Sequence, residues 1–132
     1  RQFPGVRRFQ EETLDFYKKH GYIQTATGFK RRGPMKPTEA INTMIQSIAF
    51  HTLLQNLIKI QELFDQEGFD SLIVTQTHDS IMFDVVEDEK NEIIRHVTEI
   101  MTTPVWDWHK VVPLKVEWEI GRNWYDMQEI KD

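Results

Sequence analysis

The chain of 132 residues predicts an α+β fold, an antiparallel sheet covered by helices. Two observations carry that prediction. Pairs of short strand-like runs meet at polar or glycine-bearing breaks, and stretches of helical apolar spacing separate those pairs. After Pro4-Gly5, Val6, Phe9, Thr13, Phe16 and Tyr17 recur at helical spacing. His20-Gly21 then supplies a cationic last turn and a glycine stop, so a helix is expected from Val6 to Lys19. Tyr22-Ile23-Gln24-Thr25 and Phe29-Lys30-Arg31-Arg32 flank Ala26-Thr27-Gly28, a loop suited to a hairpin. From Pro37-Thr38 a broad apolar stripe (Ile41, Met44, Ile45, Ile48, Ala49, Thr52, Leu54, Leu57, Ile58, Phe64) runs to Gly68 and predicts the longest helix, the spine of the core. The runs at 72–75 and 81–86 flank Gln76-Thr77-His78-Asp79-Ser80, a second hairpin. Asp88 heads a third helix with Ile93, Val97, Ile100 and Met101 inward, ending before Pro104. Leu114, Val116, Trp118 and Ile120 alternate with Lys115, Glu117 and Glu119 and predict a half-buried closing strand.

One domain, residues 1–132, is the expectation for this length. Hydrophobic residues make up 39% and charged ones 28%, a globular mixture. The first residue is Arg1 and a helix starts almost at once, as expected of a piece of a larger protein. No run approaches the roughly 20 apolar residues of a membrane span, and no signal peptide is seen, so the cytoplasm is the expected location. With no cysteine, disulfides and thiolate metal sites are excluded. The net charge of −5 argues against a general phosphate-binding module. The charges are polarised, however: Lys30, Arg31, Arg32 and Lys36 gather in one stretch, and Glu87, Asp88, Glu89 and Glu92 in another. One face can still meet a polyanion.

Asp79 is the most informative residue. A carboxylate at a hairpin tip is fixed by its strands yet open to solvent, which suits a hard cation such as Mg²⁺. Asp and Ser also favour turns for their own backbone chemistry, and five residues do not separate the two explanations. Asn42 and Gln46 lie four apart, on one side of the long helix at the margin of its stripe. By themselves they read as ordinary boundary amides, in line with the usual surface preference of Asn and Gln.

Four ordered segments resemble the C-terminal part of family A DNA polymerases, the relatives of bacterial DNA polymerase I and the T7-like phage enzymes. Phe3-Pro4-Gly5-Val6 with Gly21-Tyr22-Ile23-Gln24-Thr25-Ala26-Thr27-Gly28 resembles the family's PGV and GY-x-x-T-x-x-G stretch. Pro37 to Ser47, with Asn42 and Gln46, is similar to its N-x-x-x-Q helix in the phage-like form. Gln76-Thr77-His78-Asp79-Ser80 resembles motif C, Q-V-H-D-E. Pro113-Leu114-Lys115-Val116-Glu117 through Gly121-Arg122-Asn123-Trp124 resembles the closing strand and G-x-N-W end.

The resemblance implies a partial polymerase palm that contributes to template-directed nucleotidyl transfer onto a primer 3′-hydroxyl. Its implied partners are primer-template DNA and deoxynucleoside triphosphates, with two Mg²⁺ ions in the complete enzyme. Asp79 becomes the motif C metal ligand and catalytic carboxylate, with His78 beside it in the catalytic group. Gln76, Asn42, Gln46, Lys30, Arg31 and Arg32 become DNA contacts. There are two departures: Phe29 stands where the family often has arginine, and Ser80 where it often has glutamate. Asp84 cannot supply the family's second carboxylate, since five residues place it about 16 Å along a strand on the opposite face. The family's motif A and its nucleotide-gripping helix have no match here. The chain alone is therefore expected to be inactive and to need an N-terminal polymerase segment, covalent or separate.

A non-catalytic nucleic-acid-binding module is the alternative, with Asp79 structural. A metal-dependent hydrolase gains little support, because His20, His51, His96 and His109 show no paired-ligand spacing. His96 and Glu99 share a helix face that reads as solvated. Trp106, Trp108, Trp118 and Trp124 read as packing around the closing strand.

Overall fold

The computed structural model describes residues 3–130. Its first helix, α1 (Pro4–His20), carries proline in its first turn and stops at a left-handed Gly21, whose N–H donates to Tyr17 O at 2.8 Å. The hairpin β1 (Tyr22–Gln24) and β2 (Lys30–Arg32) follows, pairing Tyr22 with Arg32, Ile23 with Arg31 and Gln24 with Lys30. Helix α2 (Pro37–Glu67) is the longest element. Glu39 reaches back to accept from Lys36 N at 2.9 Å, satisfying one of the backbone donors that a helix start leaves open. At the other end Gly68 takes φ 69°, a conformation that costs glycine nothing. Gly68 N and Phe69 N both donate to Phe64 O, and the two phenylalanine rings meet edge to face at 5.5 Å.

Strands β3 (Leu72–Thr77) and β4 (Ser80–Asp84) form the second hairpin, then α3 (Lys90–Thr102) leads to a 3-10 turn at Asp107–Lys110. Two short strands close the described chain, β5 (Glu119–Ile120) and β6 (Gln128–Glu129). The α+β class is as the sequence predicts, but among the described residues the strands form three separate two-stranded ladders. The closing strand differs from expectation. Leu114, Val116 and Trp118 keep their alternating burial, yet only Glu119–Ile120 pairs, with β6. Side-chain alternation records which residues face inward; a ladder also needs a neighbour with free backbone groups.

The chain divides into two compact units. The first holds residues up to Gln55 together with the hairpin tip Thr77–Ser80. Its buried side chains are largely hydroxylic: Thr13, Thr25, Thr43 and Thr52 join Ile23, Ala40 and Leu53. Tyr17 helps to hold it, its hydroxyl accepting from Met35 N at 2.8 Å.

The second unit holds Asn56–Gln76 and the chain from Ile81 onward. Its core is apolar. Ile60, Phe64, Ile93 and Val97 are buried, and Phe69, Ile73, Ile81, Phe83, Val85, Ile100, Met101 and Trp118 pack against them. The Trp118 indole N–H donates to Thr98 Oγ1 at 2.8 Å, so its one polar atom is satisfied. Of the other tryptophans, Trp106 and Trp108 stack at 5.4 Å, whereas Trp124 is exposed, contrary to its expected packing role.

The apolar stripe expected on α2 is also corrected. Ile45, Leu54 and Ile58 are exposed, while Thr43, Thr52 and Asn56 are buried. A helix whose apolar and polar residues are spread over every side does not announce which face its neighbours will cover.

Candidate functional site

The polar break at 76–80 is tighter than the sequence suggests. Gln76 and Thr77 belong to β3 and Ser80 to β4, so only His78 and Asp79 form the loop. His78 takes φ 55°, the left-handed conformation that a two-residue hairpin loop favours. Ser80 Oγ donates to Thr77 O at 2.9 Å and bridges the two loop ends. Asp79 is exposed. Its carboxylate therefore stands on a short, internally bonded tip and remains open to solvent.

At the foot of the same hairpin, Glu89 joins the segments before β3 and after β4. Its carboxylate accepts from Asp70 N at 2.9 Å, Ser71 N at 3.0 Å and Ser71 Oγ at 2.6 Å, and Ser71 Oγ in turn accepts from Val86 N at 2.9 Å. The Ser71 hydroxyl first, and the backbone donors with it, hold the Glu89 carboxyl below its usual range, against a smaller opposing effect of burial. Sequence reasoning missed this clamp. Its signal was an acidic residue at the start of α3 with a serine just before β3.

The basic strand does not present three equivalent cations. Arg31 lies opposite buried Ile23, and its guanidinium donates to Thr43 Oγ1 on α2. Lys30 and Arg32 occupy the alternate face, and Lys30 Nζ lies 5.2 Å from the Tyr22 ring centroid, a cation–π contact. Asn42 and Gln46 are both exposed on α2, and Asn42 directly precedes the Thr43 that Arg31 engages. Lys30, Arg31, Arg32, Asn42, Gln46, His78 and Asp79 all fall in the first compact unit; Gln76, half-buried in β3, falls in the second.

A divalent ion needs several oxygen donors. Among the described residues no three His, Cys, Asp or Glu side chains converge as a metal site. Asp79 therefore has no two other such side chains gathered beside it among the described residues. His96 is engaged by Arg95, whose Nη2 lies 2.8 Å from its Nε2, in keeping with a solvated face.

The family model for DNA polymerase family A matches residues 1–126. The chain belongs to DNA polymerase family A. Among its relatives, DNA polymerase I of Chloroflexus aurantiacus is 32% identical over 139 residues, covering 98% of this chain and 14% of that protein. The DNA polymerase of Bacillus phage SP01 is also 32% identical, over 145 residues, 98% of this chain and 16% of that protein. The POL domain of Pol1 from M. smegmatis, in complex with DNA primer-template and dNTP, superposes with a TM-score of 0.69 at 28% identity. That match covers 76% of this chain and 20% of the larger one. The chain accordingly spans only a small part of the family A relatives it matches.

Proposed function

We propose that this chain supplies the motif C part of a family A polymerase active site, for DNA synthesis by nucleotidyl transfer to a primer 3′-hydroxyl. The observation that carries the reading is Asp79: an exposed carboxylate on a two-residue loop whose ends are joined by Ser80. In the proposal Asp79 holds Mg²⁺ together with a carboxylate from the N-terminal polymerase segment. When bound, two such ions supply the charge neutralisation that phosphoryl transfer demands.

The chain's other residues orient the nucleic acid. His78 and Gln76 stand at the primer terminus, where an imidazole or carboxamide bonds the sugar-phosphate backbone without choosing a base. Asn42 and Gln46 offer amide donors to minor-groove acceptors, while Lys30 and Arg32 neutralise phosphates on one face of β2. Arg31 shares that task with the N–H groups that its bond to Thr43 leaves over. The substrates are deoxynucleoside triphosphates on primer-template DNA.

The test is reconstitution. Mixed with the N-terminal remainder of the polymerase, the chain should extend a primer with Mg²⁺ and not without it, and alone it should not. Asp79→Ala in the reconstituted enzyme should lower incorporation on the order of a thousandfold, the scale expected when a main electrostatic stabiliser is lost. Full activity of that variant would leave the non-catalytic binding module as the better reading.

A further inference from the structure

The β1–β2 ladder has three residue pairs, too few for a two-stranded hairpin to hold its own geometry in water. Something outside the ladder must set where its cations stand. The loop at 25–29 is closed internally by Thr25 N to Phe29 O and Gly28 N to Thr25 O, each 2.9 Å. It is also fastened to α2 at a single side chain. Thr27 Oγ1 shares a hydrogen bond of 2.7 Å with His51 Nδ1, and Thr25 Oγ1 lies 2.7 Å from Thr27 Oγ1, continuing the chain of hydroxyls into the buried part of the unit. On the other side of Gly28, the Phe29 ring meets the His51 imidazole edge to face at 5.4 Å. One imidazole thus grips both limbs of the turn, through a hydroxyl on one and a ring on the other.

The residue after Phe29 is Lys30, where β2 begins. A second fastening, Arg31 to Thr43, lies eight residues back along α2, about 12 Å or two turns. Two fastenings at that spacing fix both the position and the direction of β2. Since Arg31 faces the helix, Lys30 and Arg32 are turned the other way.

From this arrangement we propose that His51 is a positioning residue: through Thr27 and Phe29 it sets the register of β2 and so the placement of Lys30 and Arg32 against a nucleic-acid backbone. The inference rests on the DNA-facing reading of β2 given above. His51 itself touches no phosphate in this proposal, and its role is to deliver two cations at once.

The experiment measures binding of the 132-residue chain to a fluorescent primer-template hairpin over a range of salt. The slope of log K against log[salt] counts phosphates engaged at about 0.9 per contact, and partial unfolding alone does not alter the slope of the folded fraction. A double variant Lys30→Ala, Arg32→Ala gives the reference loss. His51→Ala should lower the slope by between about 1 and 2, approaching that reference. Thr27→Val, which keeps the shape and removes the hydroxyl, should lower it in the same direction. His51→Asn, whose carboxamide stands where Nδ1 does and can still pair with Thr27, should restore most of it. Faster amide exchange at Thr25 and Gly28 in His51→Ala should accompany the loss. If the double variant loses slope but His51→Ala and Thr27→Val do not, the positioning role is overturned and the DNA reading stands. If the double variant keeps the slope of the unsubstituted chain, or that chain does not bind the hairpin, the DNA-facing reading of β2 falls and takes the inference with it.

Discussion

The two compact units differ in the balance of the interactions that hold them. In the second, Ile60, Phe64, Ile93 and Val97 form a dry cluster with aromatic neighbours, Phe64 meeting Phe69 at 5.5 Å and Phe83 at 5.9 Å between ring centroids. In the first, buried threonines predominate, and directional bonds such as Thr27–His51 and Arg31–Thr43 join its elements. Apolar burial is strong and indifferent to small rotations. Hydrogen bonds contribute less but fix angles. The first unit, which carries the proposed DNA contacts other than Gln76, is the one whose packing specifies orientation.

The comparison can be broken most directly at Phe64. Phe64→Ala should cost about 3–5 kcal/mol, the usual toll of truncating a buried aromatic, seen as a large fall in the urea midpoint. A much smaller loss would mean that the apolar cluster is not the main support of its unit. Asn56 sharpens the same point with the opposite sign. It is buried with no hydrogen-bond partner for Oδ1 among the described residues, and Asn56→Leu should gain on the order of 1 kcal/mol.

Glu89 tests the polar clamp under the Asp79 hairpin. Its carboxyl is held below the ordinary value of 4.5, so the ionised form is favoured by folding. That contribution is fully present above pH 4.5 and is lost as pH falls through the lower value of the folded chain. Glu89→Gln should therefore melt below the unsubstituted protein at pH 7, and the gap should close as the pH is taken toward 3. A gap that stayed constant over that range would remove the carboxylate from the explanation. The smallest effect is expected at the hairpin tip. Ser80→Ala loses one exposed hydrogen bond to Thr77 O and should cost about 0.5 kcal/mol, while loosening the tip that carries Asp79.

Much of the fold was legible because short-range chemistry dictates it. Pro4 and Gly21 bracket α1, Pro37 and Gly68 bracket α2, and Gly28 marks the first hairpin, all at or near the expected places. Asp79 was found for the same reason: a polar break between two apolar runs can hardly be anything but a turn. His51 was passed over because it was weighed as a metal ligand. The clue was its place on the face of α2 that continues Ala40, Thr43 and Ser47 at spacings of three and four, which is the side that Arg31 and Thr27 engage.

By itself the amino-acid order determined the class of each main element, the family likeness and the exposed carboxylate, since capping, turn chemistry and period act within a few residues. Tertiary structure alone decided which side of α2 is covered, that β5 pairs with β6 instead of a longer strand forming, and that Arg31, exposed like its two neighbours, is the one that bonds to α2. Those outcomes depend on which surface happens to lie opposite, and a helix with apolar and polar residues mixed on every side, or a strand of three successive cations, carries no local signal of its neighbour.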